Sequence, residues 1–250
     1  EAEIIYRASD MILSVDSDAA YQVAPKSRSR ASGYHYLGDK DGLLFNGAVY
    51  ILAKIIKSVM QSAAEAECGA LYMNAKEAVP MRTTLEELGH PQPPTPMRTD
   101  NSTADGIMNR TVKQKATKSM DMRFYWLQDR VQLKQFEVFW APGNINLADY
   151  QSKVQPTSVH RAVRPIYLYV EGKSPTTLQG CDKILKSLAA GAKRERPLLA
   201  STLKTTAQHG SCNRASHLQS QLNHSLRQIA NPVSQVWNTV AIGNTTQLGR

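Results

Sequence analysis

The sequence predicts an α/β domain, because three β-like runs are followed by a long helical stretch and then by shorter runs of both kinds. The three β-like runs fall within the first 53 residues, and the helical stretch covers residues 61–89. Two further β-like runs follow, each leading into a helical segment. Strands and helices mixed in this way favour a sheet packed against helices. With 250 residues, the chain can form one sizeable domain with additional segments.

The predicted strands are rich in aromatic and β-branched residues, which suit a pleated, half-buried surface. They cover residues 11–18, 32–38, 47–53, 97–100 and 136–140.

The predicted long helix at residues 61–89 is either one helix or two in series broken at Pro80, since proline lacks an amide hydrogen and its ring clashes with the preceding turn. At about 100° per residue, Glu65 falls on the same apolar stripe as Cys68, whereas Glu67 points roughly the other way. A carboxylate on a core-facing stripe is costly unless it is paired. A metal ion is one such partner, so Glu65 is a candidate ligand.

Three other acids lie at the ends of predicted strands or at the starts of helices. Asp18 lies near the end of the first strand, on the same face as Asp16. Asp100 ends the fourth strand, and Asp149 opens a predicted helix at residues 146–153. A carboxylate in the first turn of a helix also stabilises the helix dipole, which is the simpler interpretation of Asp149. From the residues alone, either Asp16 or Asp18 could bind a metal.

Four segments resemble the ribonuclease H domain at the end of copia-type retrotransposon Pol polyproteins. They are SDAAY (17–21), AAEAECGAL (63–71), RTDNSTA (98–104) and NLADYQSK (146–153). Their order and separations make the resemblance specific, and it extends over roughly residues 4–170. It implies the ribonuclease H-like fold, which is a mixed five-stranded sheet with the first three strands antiparallel and helices on both faces.

The resemblance implies that Asp18, Glu65, Asp100 and Asp149 are catalytic residues and ligands of two Mg²⁺ ions, with Mn²⁺ as a possible substitute. Asp18 is favoured over Asp16 because the family ligand immediately precedes a small-small-aromatic triplet; Asp16 is then a surface acid near the site. The implied activity is endonucleolytic hydrolysis of the RNA strand of an RNA–DNA hybrid during reverse transcription. The implied partners are the hybrid and the reverse transcriptase portion of the same polyprotein.

Two departures from the family pattern are visible near Asp149. Many cellular ribonucleases H carry a histidine in the loop before the last catalytic aspartate, and residues 141–146 contain none. Ser152 stands before Lys153, where family members usually have threonine.

Two basic segments and one polar helix start are predicted to contact nucleic acid, although a solvated charged surface is the simpler interpretation of each basic segment. The predicted contacts are Lys26, Arg28, Arg30, Asn101, Ser102, Lys113, Lys115 and Lys118.

The predicted organisation has three parts: a lead-in or linker at residues 1–10, the ribonuclease H-like domain at 11–170, and a basic, polar, mostly disordered tail at 171–250. The tail holds 10 Lys and Arg against 3 Asp and Glu, so most of the net charge of +9 lies there. Such a tail either contacts a polyanion or is simply solvated. Helices are possible at 178–192 and 216–229.

No apolar run is long enough to predict a transmembrane helix, and no secretory leader is visible. The three scattered cysteines suit a reducing compartment, so an intracellular location, cytoplasmic or nuclear, is expected.

Two other functions are consistent with parts of this pattern. One is a catalytically inactive remnant of a retrotransposon that only binds nucleic acid. The other is an integrase-type transposase, which shares the fold but places its glutamate last; Glu65 comes second, which disfavours it.

Overall fold

A five-stranded sheet organises the computed structural model, which describes residues 2–112 and 121–190. The strand order is β3-β2-β1-β4-β5. Strands β1, β2 and β3 pair antiparallel, whereas β4 is parallel to β1 and β5 is parallel to β4. The predicted mixed sheet is therefore confirmed. The strands are β1 (Ile12–Ala24), β2 (Arg28–Gly38), β3 (Ala48–Ile55), β4 (Thr95–Thr99) and β5 (Phe136–Trp140).

Helices cover both faces of the sheet, as predicted. Helices α1, α2 and α3 pack on the face that carries Leu13, Val15 and Leu52. Two later helices contribute Ile166 and Cys181 to an aromatic cluster on the opposite face. The helices are α1 (Ala63–Glu87), α2 (Ser102–Met108), α3 (Asp121–Gln132), α4 (Asp149–Ser152), α5 (Thr157–Tyr167) and α6 (residues 178–190).

Helix α1 is continuous through Pro80, so the structure has the first of the two predicted alternatives, one long helix without a break. A proline inside a helix costs about 3 kcal/mol. Ala78 and Leu85 on either side of Pro80 are buried in the core, and this packing offsets the cost. The helix ends as predicted at Gly89, whose φ of 89° closes a Schellman motif with His90 N donating to Leu85 O at 2.9 Å.

The domain extends beyond the boundary predicted at residue 170. Phe45 N donates to Thr176 O at 3.1 Å, and Leu178 N donates to Leu43 O at 2.9 Å. Cys181 on α6 is buried against the aromatic cluster. The sequence pattern missed α5 altogether and assigned α6 to the tail, because neither helix has a long apolar run of its own. The remainder of the predicted disordered tail, residues 191–250, lies outside the described residues.

Residues within the predicted lead-in, 1–10, form backbone hydrogen bonds with the segment before β3 and with the segment after α5. Gly47 N donates to Ile5 O at 3.2 Å, and Tyr169 N donates to Glu3 O at 2.8 Å. The predicted lead-in therefore contacts the domain, although it forms no regular element within residues 2–10. None of the helices within the described ranges combines the length and the apolar character needed to cross a lipid bilayer.

Candidate active site

Three carboxylates from three different elements converge at one edge of the sheet. Oxygen atoms of Asp18, Glu67 and Asp100 lie within 4.8 Å of one another. Asp18 lies on β1, Glu67 on the second turn of α1, and Asp100 directly follows β4. Because β1 and β4 are parallel neighbours, with Asp16 opposite Arg98, the next residues on the same face bring Asp18 and Asp100 together.

Hydrogen bonds fix the carboxylate of Glu67 between the two strands. Its Oε1 accepts from Ala19 N at 3.1 Å, and its Oε2 accepts from Thr99 Oγ1 at 3.4 Å. Two turns further along the same helix face, Asn74 Nδ2 donates to Ser17 Oγ at 3.0 Å. Helix α1 is thus held in register with the strand that carries Asp18.

Glu65 is not part of this group, which corrects the expectation drawn from the helical stripe. Its Oε2 accepts from Gln61 N at 2.6 Å, while Ser62 Oγ accepts from Glu65 N at 3.1 Å. These are contacts of a helix N-terminus, close to those of a capping box. The sequence carries the signal, since Ser62 and Glu65 have the S-x-x-E spacing of that motif. The helical stripe did not distinguish Glu65 from Glu67 because all residues from Glu65 to Leu71 are buried, so this part of α1 has no solvent-facing side.

Asp16 is a buried residue rather than the surface acid expected. It is 3% exposed and forms an ion pair with Arg98 on β4. The sequence pattern did not reveal this partner, which lies 82 residues away along the chain.

Asp149 lies beside the three converging carboxylates. It is the first residue of α4, and the loop before it is fastened to the sheet. Asn146 Nδ2 donates to Ser17 O at 2.8 Å, and Ser32 Oγ donates to Ala148 O at 2.9 Å. Asp149 also pairs with Lys153 one turn later, as a half-exposed ion pair.

The crowded carboxylates hold protons more tightly than ordinary acids. Burial, with the neighbouring charges of Asp18 and Asp100, raises the pKa of Glu67 from 4.5 to about 9. Burial raises the pKa of Asp18 to about 6; a hydrogen bond from Ser152 opposes the shift and the charge of Asp149 adds to it. Burial and the charge of Asp149 also raise the pKa of Asp100. The buried site therefore disfavours the ionisation of all these acids together when no cation is bound.

The donor set fits hard divalent cations such as Mg²⁺. All of its ligand atoms are carboxylate oxygens, which these ions prefer. The Oδ2 atom of Asp18 is buried and accepts no hydrogen bond from any described residue. A buried carboxylate oxygen without a partner is costly, and a cation at this position would remove the cost. Asp18, Glu67 and Asp100 would hold the metal, with Asp149 at the margin of the site.

Gly143 in the loop before Asp149 lies directly against the carboxylate of Asp100. A Cβ atom at Gly143 would run into the Asp100 Oδ2 atom. A side chain at this position would displace the Asp100 carboxylate from its place in the site.

The residues predicted to contact nucleic acid have different surroundings. Lys26 is in the turn between β1 and β2 and Arg28 is the first residue of β2, beyond the C-terminal end of β1, whereas Asp18 lies in the middle of β1. Arg30 pairs with Ala20 across the same hairpin. Asn101 caps α2, with its Oδ1 accepting from Thr103 N and Ala104 N at 3.0 Å, and Ser102 is the exposed first residue of that helix. Lys113, Lys115 and Lys118 lie outside the described residues.

Comparison with known proteins identifies a transposon relative. The chain is 28% identical over 153 residues to the retrovirus-related Pol polyprotein from transposon TNT 1-94 of Nicotiana tabacum. The match covers 61% of this chain and 11% of that polyprotein, so the chain corresponds to a small part of the relative. The predicted resemblance to a retrotransposon Pol polyprotein is thereby confirmed. No family model matches the chain.

The solved structures similar to this chain include ribonuclease H domains. One is LC11-RNase H1, isolated from compost by a metagenomic approach, with 12% identity and a TM-score of 0.43 over 56% of this chain and 92% of that chain. Another is an N-terminal ribonuclease H domain from Mycobacterium tuberculosis, with 14% identity and a TM-score of 0.41 over 57% of this chain and 91% of that chain. The mixed five-stranded sheet, with its first three strands antiparallel and helices on both faces, has the predicted architecture. The fold is ribonuclease H-like.

Proposed function

We propose that this chain is a metal-dependent endoribonuclease that hydrolyses the RNA strand of RNA–DNA hybrids. The observation that carries the proposal is the convergence of Asp18, Glu67 and Asp100 within 4.8 Å, with Asp149 beside them. A cluster made only of carboxylates, with a buried unpartnered oxygen, is suited to bind hard divalent cations. Strongly raised pKa values in such a cluster also mark a candidate functional site.

The chain contributes charge and position to the proposed reaction. Two divalent ions at such a site supply an activated water and neutralise the charge on the leaving 3′ oxygen. Asp18 would be the central ligand, because it interacts electrostatically with Asp100, Asp149 and Glu67. Glu67 keeps its proton at neutral pH in the metal-free protein, so metal binding at pH 7 releases that proton to solvent.

Substrate binding is proposed at the hairpin that follows the catalytic strand. Lys26 and Arg28 place positive charge beyond the end of β1, where a phosphate backbone that reaches Asp18 would pass. Selectivity for the RNA strand would depend on contacts to 2′-hydroxyl groups and on the shape of the hybrid.

The similarity to a Pol polyprotein supports the proposal that the chain works during reverse transcription. The reverse transcriptase portion of the same polyprotein is the proposed partner, because an RNA–DNA hybrid is the product that such an enzyme leaves behind.

Cleavage of a labelled hybrid tests this function. With Mg²⁺ or Mn²⁺, the chain should cut the RNA strand and spare both the DNA strand and duplex DNA, and a chelator should stop the reaction. A folded sample that binds the hybrid without cutting it under either metal would instead identify an inactive remnant that only binds nucleic acid.

A further inference from the structure

A buried ion pair lies directly below the candidate active site. Asp16 on β1 and Arg98 on β4 are opposite each other in the parallel pairing of the two strands. Arg98 Nε donates to Asp16 Oδ1 at 2.9 Å, and Arg98 also pairs with Asp16 Oδ2. The two residues are 3% and 9% exposed, so the pair is largely removed from water.

The same carboxylate also binds the loop that leads to Asp149. Leu147 N donates to Asp16 Oδ2 at 2.9 Å. The buried Asp16 carboxylate thus connects β1, the end of β4 and the loop before α4.

Each of the three connected residues lies two positions before one of the acids of the site. Asp16 lies two residues before Asp18, Arg98 two residues before Asp100, and Leu147 two residues before Asp149. A two-residue step along a strand returns to the same face. On β1 and β4, Asp16 and Arg98 therefore lie one step along the same face from Asp18 and Asp100, and the third contact, Leu147, is in the loop that leads directly to Asp149.

We propose that Asp16 and Arg98 are positioning residues, whose buried contacts with each other and with Leu147 N set the spacing of Asp18, Asp100 and Asp149. Their role rests on the proposed function, because it concerns the ligands of the proposed metal site. A buried ion pair is by itself weak evidence for stability, since its desolvation cost can equal its attraction. Its connection to all three carboxylate-bearing segments is what a positioning role requires.

The double variant Asp16→Leu with Arg98→Leu separates positioning from stability. Apolar pairs that replace buried ion pairs are often tolerated, so this variant should fold, but Leu147 N loses its acceptor. We expect the Mg²⁺ concentration for half-saturation in calorimetry to rise about 10-fold or more, as when other supports of metal ligands are removed. For cleavage, kcat should fall by a similar factor while KM for the hybrid changes little. Arg98→Lys, which keeps the charge but not the planar fork, should be intermediate.

Arg82→Leu is the matched control. Arg82 is also a largely buried arginine, and it binds Pro93 O and Thr95 Oγ1 at the opposite end of β4. Its removal should lower thermal stability while the Mg²⁺ affinity stays at the wild-type value.

Amide hydrogen exchange without metal gives a readout that does not depend on the proposed function. In the double variant, exchange should accelerate at residues 146–149 and remain unchanged in the middle of β1. If the wild-type chain binds Mg²⁺ but cuts no hybrid, the proposed function fails, whereas the metal affinities and exchange rates still decide the inference. Wild-type Mg²⁺ affinity in the double variant overturns the inference, as does unchanged exchange at residues 146–149.

Discussion

The substitution of Glu67 by Gln, compared with Glu65 by Gln, is the sharpest test of the site. Both residues are buried glutamates near the start of α1, two positions apart. Only Glu67 lies with Asp18 and Asp100. Glu67→Gln should therefore abolish cleavage and weaken Mg²⁺ binding, whereas Glu65→Gln should retain most of the activity.

The same two variants should also differ in stability when no metal is bound: Glu67→Gln should be the more stable one, although it is the inactive one. The pKa of Glu67 rises from 4.5 in the unfolded reference to about 9 in the folded protein. At pH 7 the unfolded chain has released this proton and the folded chain retains it. The free energy of unfolding therefore falls by about 1.4 kcal/mol for each pH unit above the unfolded pKa, and pH 7 lies about 2.5 units above it. Glutamine removes this cost of about 3 kcal/mol, and its side-chain oxygen can still accept a hydrogen bond. Glu67→Gln should therefore raise Tm by about 5–10 °C in a chelator.

Glu65→Gln should instead be neutral or slightly destabilising. Its carboxylate lies at the N-terminus of α1, where a negative charge typically stabilises a helix by about 0.3–1 kcal/mol. Thermal melts in a chelator and cleavage assays on the same two preparations provide both measurements. An inactive Glu65→Gln with an active Glu67→Gln would refute the assignment of Glu67 to the site. An unchanged or lower Tm for Glu67→Gln would refute the reasoning about its charge.

Four further predictions concern the site, the domain boundary and the C-terminal segment. Asp18→Asn should abolish cleavage but leave hybrid binding equal or tighter in a chelator, because a carboxylate that faces phosphates is repulsive without metal; weaker binding in a filter assay would contradict this. The metal-free protein should lose stability as pH rises. An acid whose pKa is higher in the folded state than in the unfolded state favours folding fully below its unfolded pKa, and this contribution is lost as pH rises to the folded pKa. The loss should extend through the folded pKa values of about 6 for Asp18 and about 9 for Glu67, and saturating Mg²⁺ should reduce it; a metal-free Tm that rises between pH 5 and 9 would exclude this account. A chain that ends at residue 190 should melt as a cooperative domain, whereas one that ends at 170 should not, because it lacks the residues that bind Leu43 and Phe45. Residues 191–250 hold 7 Lys and Arg against 1 Glu. The chain that ends at residue 190 should therefore bind the hybrid with a weaker salt dependence than the full chain. An unchanged salt dependence would show that this segment makes no phosphate contacts.

Local patterns in the sequence were sufficient to predict the sheet. Strand β5 has the predicted bounds, Phe136–Trp140, because a short aromatic run between polar turns has few other conformations available. Asp18 lies within β1 and Asp100 directly follows β4, and the parallel pairing of these strands brings the two acids together. The resemblance to a known family supplied the mixed sheet, and the structure shows which strands are neighbours. Their catalytic roles stay predictions.

The choice between Glu65 and Glu67 depended on the surroundings of α1 in the folded chain. Hydrophobic periodicity identifies the buried face of a helix only when the opposite face meets solvent. Residues Glu65 to Leu71 of α1 are all buried, so periodicity could not separate the two glutamates. It pointed to Glu65, whereas the folded chain brings Glu67 to Asp18 and Asp100; the capping spacing of Ser62 and Glu65 was present in the sequence.

The sequence alone determined the class of fold, the order of its strands along the chain, and three of the four acids that the structure brings to one edge. Tertiary structure decided the fourth acid, the burial of Asp16 against Arg98, the presence of α5, and the addition of α6 to the domain. The physical reason is the range of the interactions. Strand and turn signals act over a few residues, whereas Asp16 and Arg98 are 82 residues apart and α6 packs on an aromatic cluster whose other members are far away in the sequence.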